Sequence, residues 1–382
     1  MSSSFKQQFK QMIGTLIYGS LLTVFPFPRK RTAEKSSPPR QVAVVCLAAL
    51  GDLITFCPAA QQMRSEGLRL TLICREGGGI AEFAAETGLF EAVIALPHRF
   101  RSRIANLRRL GSLSAELVVV APVQRHILSD LYALAIPAQR RVLPDTTAGC
   151  AHLGLKKRVD RQVDLVPVTA QNELERNAQY SEPLGLVRGP LSPFVFRGEK
   201  GAWQKTEPSC VAIFPGAGGS ISKCWPVERF AWVARQLAER TRCRVLIFGT
   251  AAERSLCGKL AALLPETARD LSGQTTLAEL AQRLKGCCLS LTNDSGSAHL
   301  SIAHGVPTVI VCGGWEYGRF YPNPTLPPDC RAVLAKELPS CVPCGQSKPD
   351  CSGRACAPCV AAVRQETVLE AALACMVEGK RF

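Results

Sequence analysis

Apolar and polar positions divide most of this chain into short strand-like and helix-like segments. The apolar runs are rich in β-branched residues and are bounded by turn residues, as buried strands are. Stretches of helical length, such as 52–67, lie between them. Because strands that alternate with helices form parallel sheets covered by helices, the pattern predicts an α/β protein. In the first half of the chain the strand-like runs are 42–50, 68–74, 91–96, 115–121 and 140–144.

A second series of the same kind follows a polar stretch at 185–208 that contains several prolines and glycines. A chain of 382 residues is longer than a single hydrophobic core usually serves. We therefore predict two Rossmann-like domains, an N-terminal one over 42–190 and a C-terminal one over 205–382. The strand-like runs of the second series are 210–216, 243–249, 287–294 and 306–314, and its helical stretches are 225–240 and 297–305.

The first 41 residues (1–41) differ from both predicted domains. Residues 12–28 are mostly apolar and have lysines before them and three basic residues, 29–31, after them. The run is shorter than the roughly 20 residues that a membrane-spanning helix needs, and polar residues and proline interrupt it. Two alternatives stay open for it: an interfacial anchor at a membrane surface, and a helix on the protein's own surface or a poorly ordered tail. Residues 32–41 are predicted to be a linker.

Composition narrows the choice of partner and compartment. Lys and Arg outnumber Asp and Glu by 46 to 31, a formal net charge of +15, which favours an anionic partner such as nucleic acid, an acidic lipid or a phosphorylated substrate. Several of the 18 cysteines (Cys46, Cys74, Cys312) lie inside apolar runs and are predicted to be small buried hydrophobes rather than half-cystines. That usage is typical of a reducing compartment.

The turns that follow the predicted strands are where ligands are expected, since open parallel sheets bind them at the carboxyl ends of the strands. The first such turn contains Gly51 and Asp52. Gly51 would permit a tight turn, and Asp52 would then lie at the edge of the sheet beside a helix N-terminus. Local sequence alone favours a helix-capping role for Asp52.

The turn after run 210–216 is glycine-rich and reads Phe-Pro-Gly-Ala-Gly-Gly-Ser from Phe214 to Ser220. Such a turn lets backbone amides approach an anion closely. Ser220 and Ser222 would add hydroxyl donors, and Lys223 would add a positive charge. The spacing matches neither G-x-G-x-x-G nor a P-loop, but the combination predicts a phosphate site.

The turn before the helical stretch 297–305 offers a second anion site. Asp294 or Ser295 is predicted to cap this helix, with Gly296 and His299 in or near its first turn. The N-terminus of a helix presents free N–H groups and a partial positive charge to an anion. A bare Asp294 carboxylate would repel phosphate, so we expect it to orient the loop, Lys223 or a ribose.

Three motifs in this order resemble those of glycosyltransferase family 9, which includes the lipopolysaccharide heptosyltransferases. The first is Gly51-Asp52 followed by Pro58; the others are Pro215-Gly216 with Lys223-Cys-Trp225-Pro226, and Asn293-Asp294-Ser295-Gly296-Ser-Ala-His299-Leu300 with Gly305-Val-Pro307-Thr308. The resemblance runs from about residue 42 to the C-terminal end. It implies the GT-B fold, two Rossmann-like domains with a cleft between them, and an inverting transfer that requires no metal cofactor.

The resemblance also implies roles for single residues. Asp52 matches the base that deprotonates the acceptor hydroxyl, and Lys223 matches the lysine at the donor diphosphate. Glu253 lies near the family's ribose-binding acid. The chain departs from the pattern at Cys46, where family members often carry a basic residue, and at the glycine pair 218–219, where some carry hydroxyl residues. Other positions that the resemblance places around the donor are Gly218, Gly219, Ser220, Asp294, Ser295, Gly296 and His299.

Two further clusters stay open to more than one interpretation. The basic run that contains Arg99, Arg101 and Arg103 would hold phosphates or carboxylates of an acceptor, or form a solvated face or a patch for an anionic membrane. Nucleic acid is disfavoured as a partner because no nucleic-acid-binding motif accompanies the run. Within the Cys-rich segment 341–359, Cys341-x2-Cys344 and Cys356-x2-Cys359 have the spacing of a structural zinc ribbon, but with Cys351 the five thiols leave the ligand set open.

The leading hypothesis for function is transfer of a heptose from ADP-heptose to the inner core of lipopolysaccharide. The resemblance implies a nucleotide-sugar donor, an anionic glycolipid of the lipid A–Kdo type as acceptor, and a cytoplasmic enzyme that is peripheral on the inner membrane. One alternative keeps the fold and changes the nucleotide-linked sugar. Another is a non-catalytic, membrane-associated or zinc-bearing binding protein with the same fold.

Overall fold

The computed structural model describes residues 18–23, 27, 39–121, 126–146, 153–196, 209–265, 268–342, 344, 351 and 356–379. Its contacts divide the chain into two compact units, Met1–Leu191 and Ser192–Phe382. Most of the apolar stretch 12–28, most of the predicted linker 32–41 and the end of the polar stretch 185–208 lie outside the described residues.

The N-terminal unit is a parallel sheet whose strands are joined by helices. Its strands are β1 (Gln41–Cys46), β2 (Arg69–Arg75), β3 (Ala92–Leu96), β4 (Ala115–Val120), β5 (Ala138–Asp145) and β6 (Asp164–Pro167). Its helices are α1 (Leu50–Ser65), α2 (Ile80–Thr87), α3 (Arg103–Gly111), α4 (Ile127–Ala135), α5 (Leu153–Asp160) and α6 (Glu173–Ser181), with 3-10 turns at Phe100–Ser102 and Glu182–Leu184. The strand order is β3-β2-β1-β4-β5-β6, and every pair is parallel.

The C-terminal unit repeats this plan. Its strands are β7 (Cys210–Phe214), β8 (Arg244–Ile247), β9 (Ala268–Asp270), β10 (Cys287–Asn293), β11 (Thr308–Val311) and β12 (Cys330–Val333). Its helices are α7 (Val227–Thr241), α8 (Arg254–Ala262), α9 (Leu277–Lys285), α10 (Gly296–Ala303), α11 (Pro358–Ala361) and α12 (Gln365–Glu378), with 3-10 turns at Ile221–Lys223 and Ala251–Glu253. The order β12-β11-β10-β7-β8-β9 is again parallel throughout.

Both sheets have the Rossmann strand order, in which the first and fourth strands of each unit are central neighbours. The central strands are buried on both faces, which is why they read as continuous apolar runs rather than alternating ones. Every residue of β10 is buried. The predicted α/β class with two Rossmann-like domains is therefore confirmed.

The described part of the N-terminal stretch packs on its own unit. Residues 18–23 are helical, and the side chains of Tyr18 and Leu22 are buried in the core of the N-terminal unit. Arg158 of α5 donates a hydrogen bond to Thr23 Oγ1 at 3.3 Å. Within the described ranges, no helix combines the length and the apolar character that a membrane crossing requires.

Candidate active site

Four neighbouring strands of the C-terminal sheet deliver their loops to one edge. The strands are β8, β7, β10 and β11, and because they are parallel their carboxyl ends face the same way. Between β7 and β10 the connections diverge to opposite sides, which opens a crevice where doubly wound sheets bind their ligands. The loops after these strands carry, in the same order, Glu253, the glycine-rich turn, Asp294 and Glu316.

The glycine-rich turn is held against Glu253. The Gly218 N–H donates to Glu253 Oε1 at 3.1 Å, while Glu253 Oε2 accepts from the N–H and hydroxyl of Thr250. Gly218 and Gly219 have φ of 62° and 88°, the left-handed region that favours glycine. A Cβ on Gly216 would lie 2.0 Å from Glu253 Oε1. Glu253 and the turn, which are 35 residues apart in the chain, therefore form one packed unit.

Asn293, at the end of β10, joins the second and third sequence motifs. Its side chain is buried, and its Oδ1 accepts from the Trp225 N–H at 3.0 Å. Its Nδ2 donates to the carbonyls of Pro215 and Gly216 at 2.8 and 3.2 Å. One amide side chain thus fixes both ends of the loop that carries Lys223.

Glu316 pairs two cations at this edge. Lys223 Nζ donates to Glu316 Oε1 at 3.3 Å, and Arg319 Nη1 donates to Glu316 Oε2 at 3.4 Å. The three side chains are largely buried, with 17%, 19% and 8% exposure for Lys223, Arg319 and Glu316. Lys223 Nζ also lies 5.8 Å from the centre of the Trp315 ring. Partial burial strengthens such pairs relative to those on an open surface.

Asp294 is a buried carboxyl beside these charges. Burial raises its pKa from the ordinary 3.8 to about 6, an effect that Lys223 opposes and Glu316 reinforces. The Asp294 backbone N–H donates to Val311 on the adjacent strand, so the residue is fixed where β10 ends. The positive field of Lys223 keeps this carboxyl largely ionised at neutral pH despite its burial.

His299 lies in the second turn of α10 and is neutral at physiological pH. Burial, and then the charges of Arg319 and Lys223, lower its pKa to about 3. Its Nδ1 is 3.3 Å from the Tyr321 hydroxyl, and its ring packs between Phe320 and Tyr321. His299 can offer a bound anion a hydrogen bond but no positive charge.

Two features of α10 bear on anion binding. Ser295 occupies the N-cap position, and its hydroxyl lies 2.7 Å from the Ser297 hydroxyl. Gly296 is the first helical residue, so the free N–H groups of the helix begin there. On the neighbouring loop, Ser222 is a buried residue of the 3-10 turn Ile221–Lys223, and its Oγ lies 3.5 Å from Ser220 Oγ. The predicted donor residues of the second and third motifs thus lie on adjacent strands around one crevice.

A cavity of about 220 Å³ adjoins Lys223 and Asp294. Its mostly apolar wall includes Gly313, Gly314 and Trp315. A Cβ on Gly313 would meet Val360 at 2.5 Å, so the wall itself requires glycine. The cysteines that line the cavity are Cys341, Cys344, Cys351 and Cys359.

The described cysteines of the Cys-rich segment are Cys341, Cys344, Cys351, Cys356 and Cys359. Among the described residues, no group of three or more His, Cys, Asp or Glu side chains is arranged to hold a metal. Cys359 Sγ instead accepts a hydrogen bond from the Gly314 N–H at 3.2 Å. Burial raises the pKa of Cys356 to about 11, and the nearby Cys359 adds to this, so the thiol is protonated at neutral pH. Each described cysteine is a free thiol, and Cys46, Cys74 and Cys312 are buried as predicted.

Asp52 lies in the first turn of α1 in the N-terminal unit. The helix begins at Leu50, two residues earlier than the sequence predicts, so Ala49 rather than Asp52 occupies the N-cap position. Asp52 Oδ2 accepts from the Ala49 N–H at 3.1 Å, as the acid of a capping box does. Gly51 is a buried helical residue and not the turn residue that we predicted. Asp52 is partly exposed at the carboxyl end of β1, a central strand.

The arginines predicted at an acceptor follow β3, at the edge of the N-terminal sheet. Arg99 and Arg101 are exposed. Arg103 is partly buried, with its guanidinium 4.9 Å from the Tyr18 ring centre and 4.7 Å from that of Phe100. Aromatic packing therefore holds Arg103, while its two neighbours face solvent.

Comparison with known proteins identifies the family. The model of glycosyltransferase family 9 (heptosyltransferase) matches residues 93–326, more than half of the chain. The chain belongs to this family. Lipooligosaccharide heptosyltransferase 2 of Campylobacter jejuni is 29% identical over 158 residues, which cover 40% of this chain and 48% of that protein. The match thus spans about half the length of that relative.

Solved structures of family members share the fold. The glycosyltransferase family 9 structure from Veillonella parvula superposes with a TM-score of 0.68 at 17% identity and covers 89% of this chain and 97% of its own. An Escherichia coli heptosyltransferase with ADP-2-deoxy-2-fluoro heptose has a TM-score of 0.61 at 19% identity, and the match covers 80% of this chain and 96% of that one. The GT-B class implied by the motifs is confirmed.

Sequence reasoning missed Glu316, Arg319 and Trp315. They follow β11, the fourth strand whose loop reaches the crevice. Ligands bind at the carboxyl ends of parallel strands, and this rule, which led to the other three loops, applies equally to the loop after β11. The signal was present as a glutamate and an arginine three residues apart, shortly after Gly313-Gly314.

Proposed function

We propose that this protein is an inverting glycosyltransferase that transfers a heptose from ADP-heptose to the inner core of lipopolysaccharide, with an anionic glycolipid of the lipid A–Kdo type as acceptor. Family membership supports sugar transfer. The name of the C. jejuni relative and the ADP-heptose analogue in the E. coli structure support the donor and the product class.

The observation that carries the proposal is the set of diphosphate-binding groups around the β7–β10 crevice. Lys223 and Arg319 supply two positive charges. The glycine-rich turn lets an anion approach its backbone closely, and the first turn of α10, after the adjacent strand, supplies free backbone N–H groups. Glu253 contacts the same turn and is a hydrogen-bond acceptor suited to a ribose hydroxyl. This combination suits a nucleoside diphosphate.

The chemistry follows from these groups. The acceptor oxygen attacks the anomeric carbon, the bond from that carbon to the diphosphate oxygen breaks, and its electron pair leaves with ADP. Negative charge builds on the leaving diphosphate, where preorganised cations and N–H donors lower the barrier most. We assign Asp52 as the base that takes the acceptor proton, and its contact with the Ala49 N–H holds the carboxylate in position. Because Lys223 and Arg319 supply the positive charge, the transfer is proposed to need no metal.

The acceptor determines where the enzyme works. A lipid A–Kdo glycolipid is an anionic membrane component, so we propose a cytoplasmic enzyme that associates peripherally with the inner membrane and not with nucleic acid. Zinc in the Cys-rich segment stays a prediction. Elemental analysis of the purified protein tests it, since a structural site would hold about one zinc per chain through repeated dialysis.

Transfer assays with a panel of ADP-, UDP- and GDP-linked sugars test the function. We expect ADP-heptose to give the highest kcat/KM with the wild-type protein. Equal or better transfer from another nucleotide sugar would support the alternative in which only the sugar differs, and no transfer from any donor would favour the binding protein.

Two variants separate donor binding from chemistry. Asp52→Ala should bind ADP as the wild type does while transfer falls by roughly 10²–10⁴-fold, the usual loss for a general base. Lys223→Met should weaken ADP binding as well as transfer. Full transfer by Asp52→Ala would remove Asp52 from the role of base, and unchanged ADP binding by Lys223→Met would remove Lys223 from the diphosphate site.

A further inference from the structure

The start of α3 carries a surface that the proposed chemistry does not use. Phe100 and Ile104 are 55% and 51% exposed, although both side chains are large and apolar. Arg101 and Arg108, also exposed, flank them. We refer to Phe100, Arg101, Ile104 and Arg108 as the α3 patch.

The α3 patch occupies one face of a continuous helical segment. The 3-10 turn Phe100–Ser102 passes directly into α3. Residues 101, 104 and 108 are spaced by three and four, so their side chains lie on the same side of the helix. The other side of the helix holds Asn106 and Leu110, which are buried in the N-terminal unit. The helix therefore lies along the surface with its arginines and exposed apolar side chains directed outward.

The apolar part of the patch is held rigidly by its neighbours. Arg103 lies between the rings of Phe100 and Tyr18, at 4.7 and 4.9 Å from their centres. Asn106, on the buried side, donates to the Pro97 carbonyl and to the Tyr132 hydroxyl, at 2.9 and 2.8 Å. These contacts fix the helix while leaving Phe100 and Ile104 to solvent.

The segment that carries the α3 patch is uniformly positive in charge. Residues 97–114 contain the arginines at 99, 101, 103, 108 and 109 and neither Asp nor Glu. A phosphorylated sugar or a nucleic acid would use the arginines, and its rings could stack on Phe100, but neither would use the exposed aliphatic side chain of Ile104. An anionic bilayer uses both, because apolar side chains enter the boundary between headgroups and acyl chains while arginines contact the phosphates.

We propose that the α3 patch is the surface by which this protein docks on a bilayer of anionic phospholipid. The proposal deepens the membrane association given above and rests on that part of the proposed function. Its test uses vesicles without donor or acceptor, so its failure would leave sugar transfer untouched.

The experiment is co-sedimentation of the full-length protein with vesicles of phosphatidylcholine, with and without phosphatidylglycerol. Two double variants are compared with the wild type. The arginine pair combines Arg101→Gln with Arg108→Gln, and the apolar pair combines Phe100→Ser with Ile104→Ser. Wild type should bind the anionic vesicles, and high salt should weaken this binding without abolishing it. The arginine pair should lower the affinity by about 25-fold, since each basic residue at such a surface contributes about fivefold. The apolar pair should lower it at least tenfold and should weaken the binding that persists in salt.

A matched control carries the same kinds of change elsewhere. Val377→Ser with Arg240→Gln alters an exposed apolar residue and an exposed arginine of the C-terminal unit and should bind vesicles as the wild type does. Thermal melting of each variant excludes unfolding as the cause of a loss. Equal wild-type binding to both kinds of vesicle, or unchanged binding by either patch variant, overturns the proposal. If the arginine pair instead raises KM for the acceptor and leaves vesicle binding intact, the arginines serve the acceptor and the proposal is equally overturned.

Discussion

Replacing Asp294 by Asn should stabilise the unliganded C-terminal unit at neutral pH. The pKa of Asp294 rises from the ordinary 3.8 to about 6, mainly because the carboxyl is buried. Each pKa unit corresponds to about 1.36 kcal/mol, so the difference is about 3 kcal/mol. Asparagine has nearly the same shape as the protonated acid and does not ionise.

The sign of the effect depends on pH. Below pH 3.8 the carboxyl is protonated in both the folded and the unfolded chain, and wild type and Asn variant should be equally stable. As the pH rises towards 6, the unfolded chain releases its proton first, so the wild type loses stability relative to the variant. Above pH 6 the variant should be more stable by about 3 kcal/mol. The low pKa of His299 makes both proteins less stable in acid by the same amount, so it does not affect the difference in stability between them.

Urea unfolding at a series of pH values between 4 and 7.5 measures this difference. Trp225, Trp232 and Trp315 lie in the described part of the C-terminal unit, so tryptophan fluorescence follows the unfolding of that unit. Equal m-values for the two proteins confirm that the same surface unfolds. A stability difference that stays constant across the pH range, or an Asn variant that is less stable at pH 7, would refute the reasoning. The gain in stability should accompany a loss of activity, as is common at functional sites.

Three further substitutions test the site. Asn293→Ala should destabilise the C-terminal unit by about 3 kcal/mol in urea unfolding, because it removes three buried hydrogen bonds and leaves their partners unsatisfied. Gly216→Ala should weaken ADP binding at least tenfold by calorimetry, since its Cβ collides with Glu253, and normal affinity would show that the turn adapts. Glu316→Gln should tighten ADP binding and steepen its salt dependence, because Lys223 loses an internal counter-charge; weaker binding would mean that Glu316 positions the lysine rather than competes for it.

The central part of the fold could be predicted because its strands are buried on both faces and therefore read as apolar runs. The edge strands β6, β9 and β12 were missed. β9 is the three residues Ala-Arg-Asp, none of them buried, so it carries no periodic signal. The start of α1 was placed two residues late because Leu50 continued the apolar run of β1 and Ala49 is not a typical N-cap residue.

Part of the candidate site could likewise be predicted from the sequence, and part of it could not. Lys223, Asp294 and the glycine-rich turn could be found because each follows a recognisable strand and has a local reason to bind an anion. Glu316 pairs with Arg319 and also with Lys223, which lies 93 residues away from Glu316 in the chain. Only the folded sheet brings Lys223 and Glu316 together. The low pKa of His299 likewise depends on the folded chain, first through burial and then through the charges of Arg319 and Lys223 on other loops.

The hydrogen bonds of Asn293 have a consequence for how this family diversifies. Since one side chain holds the turn before Lys223 and the backbone of Trp225, the glycine-rich loop and the end of β10 cannot change independently. A chimaera that imports another member's glycine-rich loop without the residue at the end of β10 should misplace the lysine even if both parents are active. Loop exchange between relatives should therefore succeed only when the two segments are moved together.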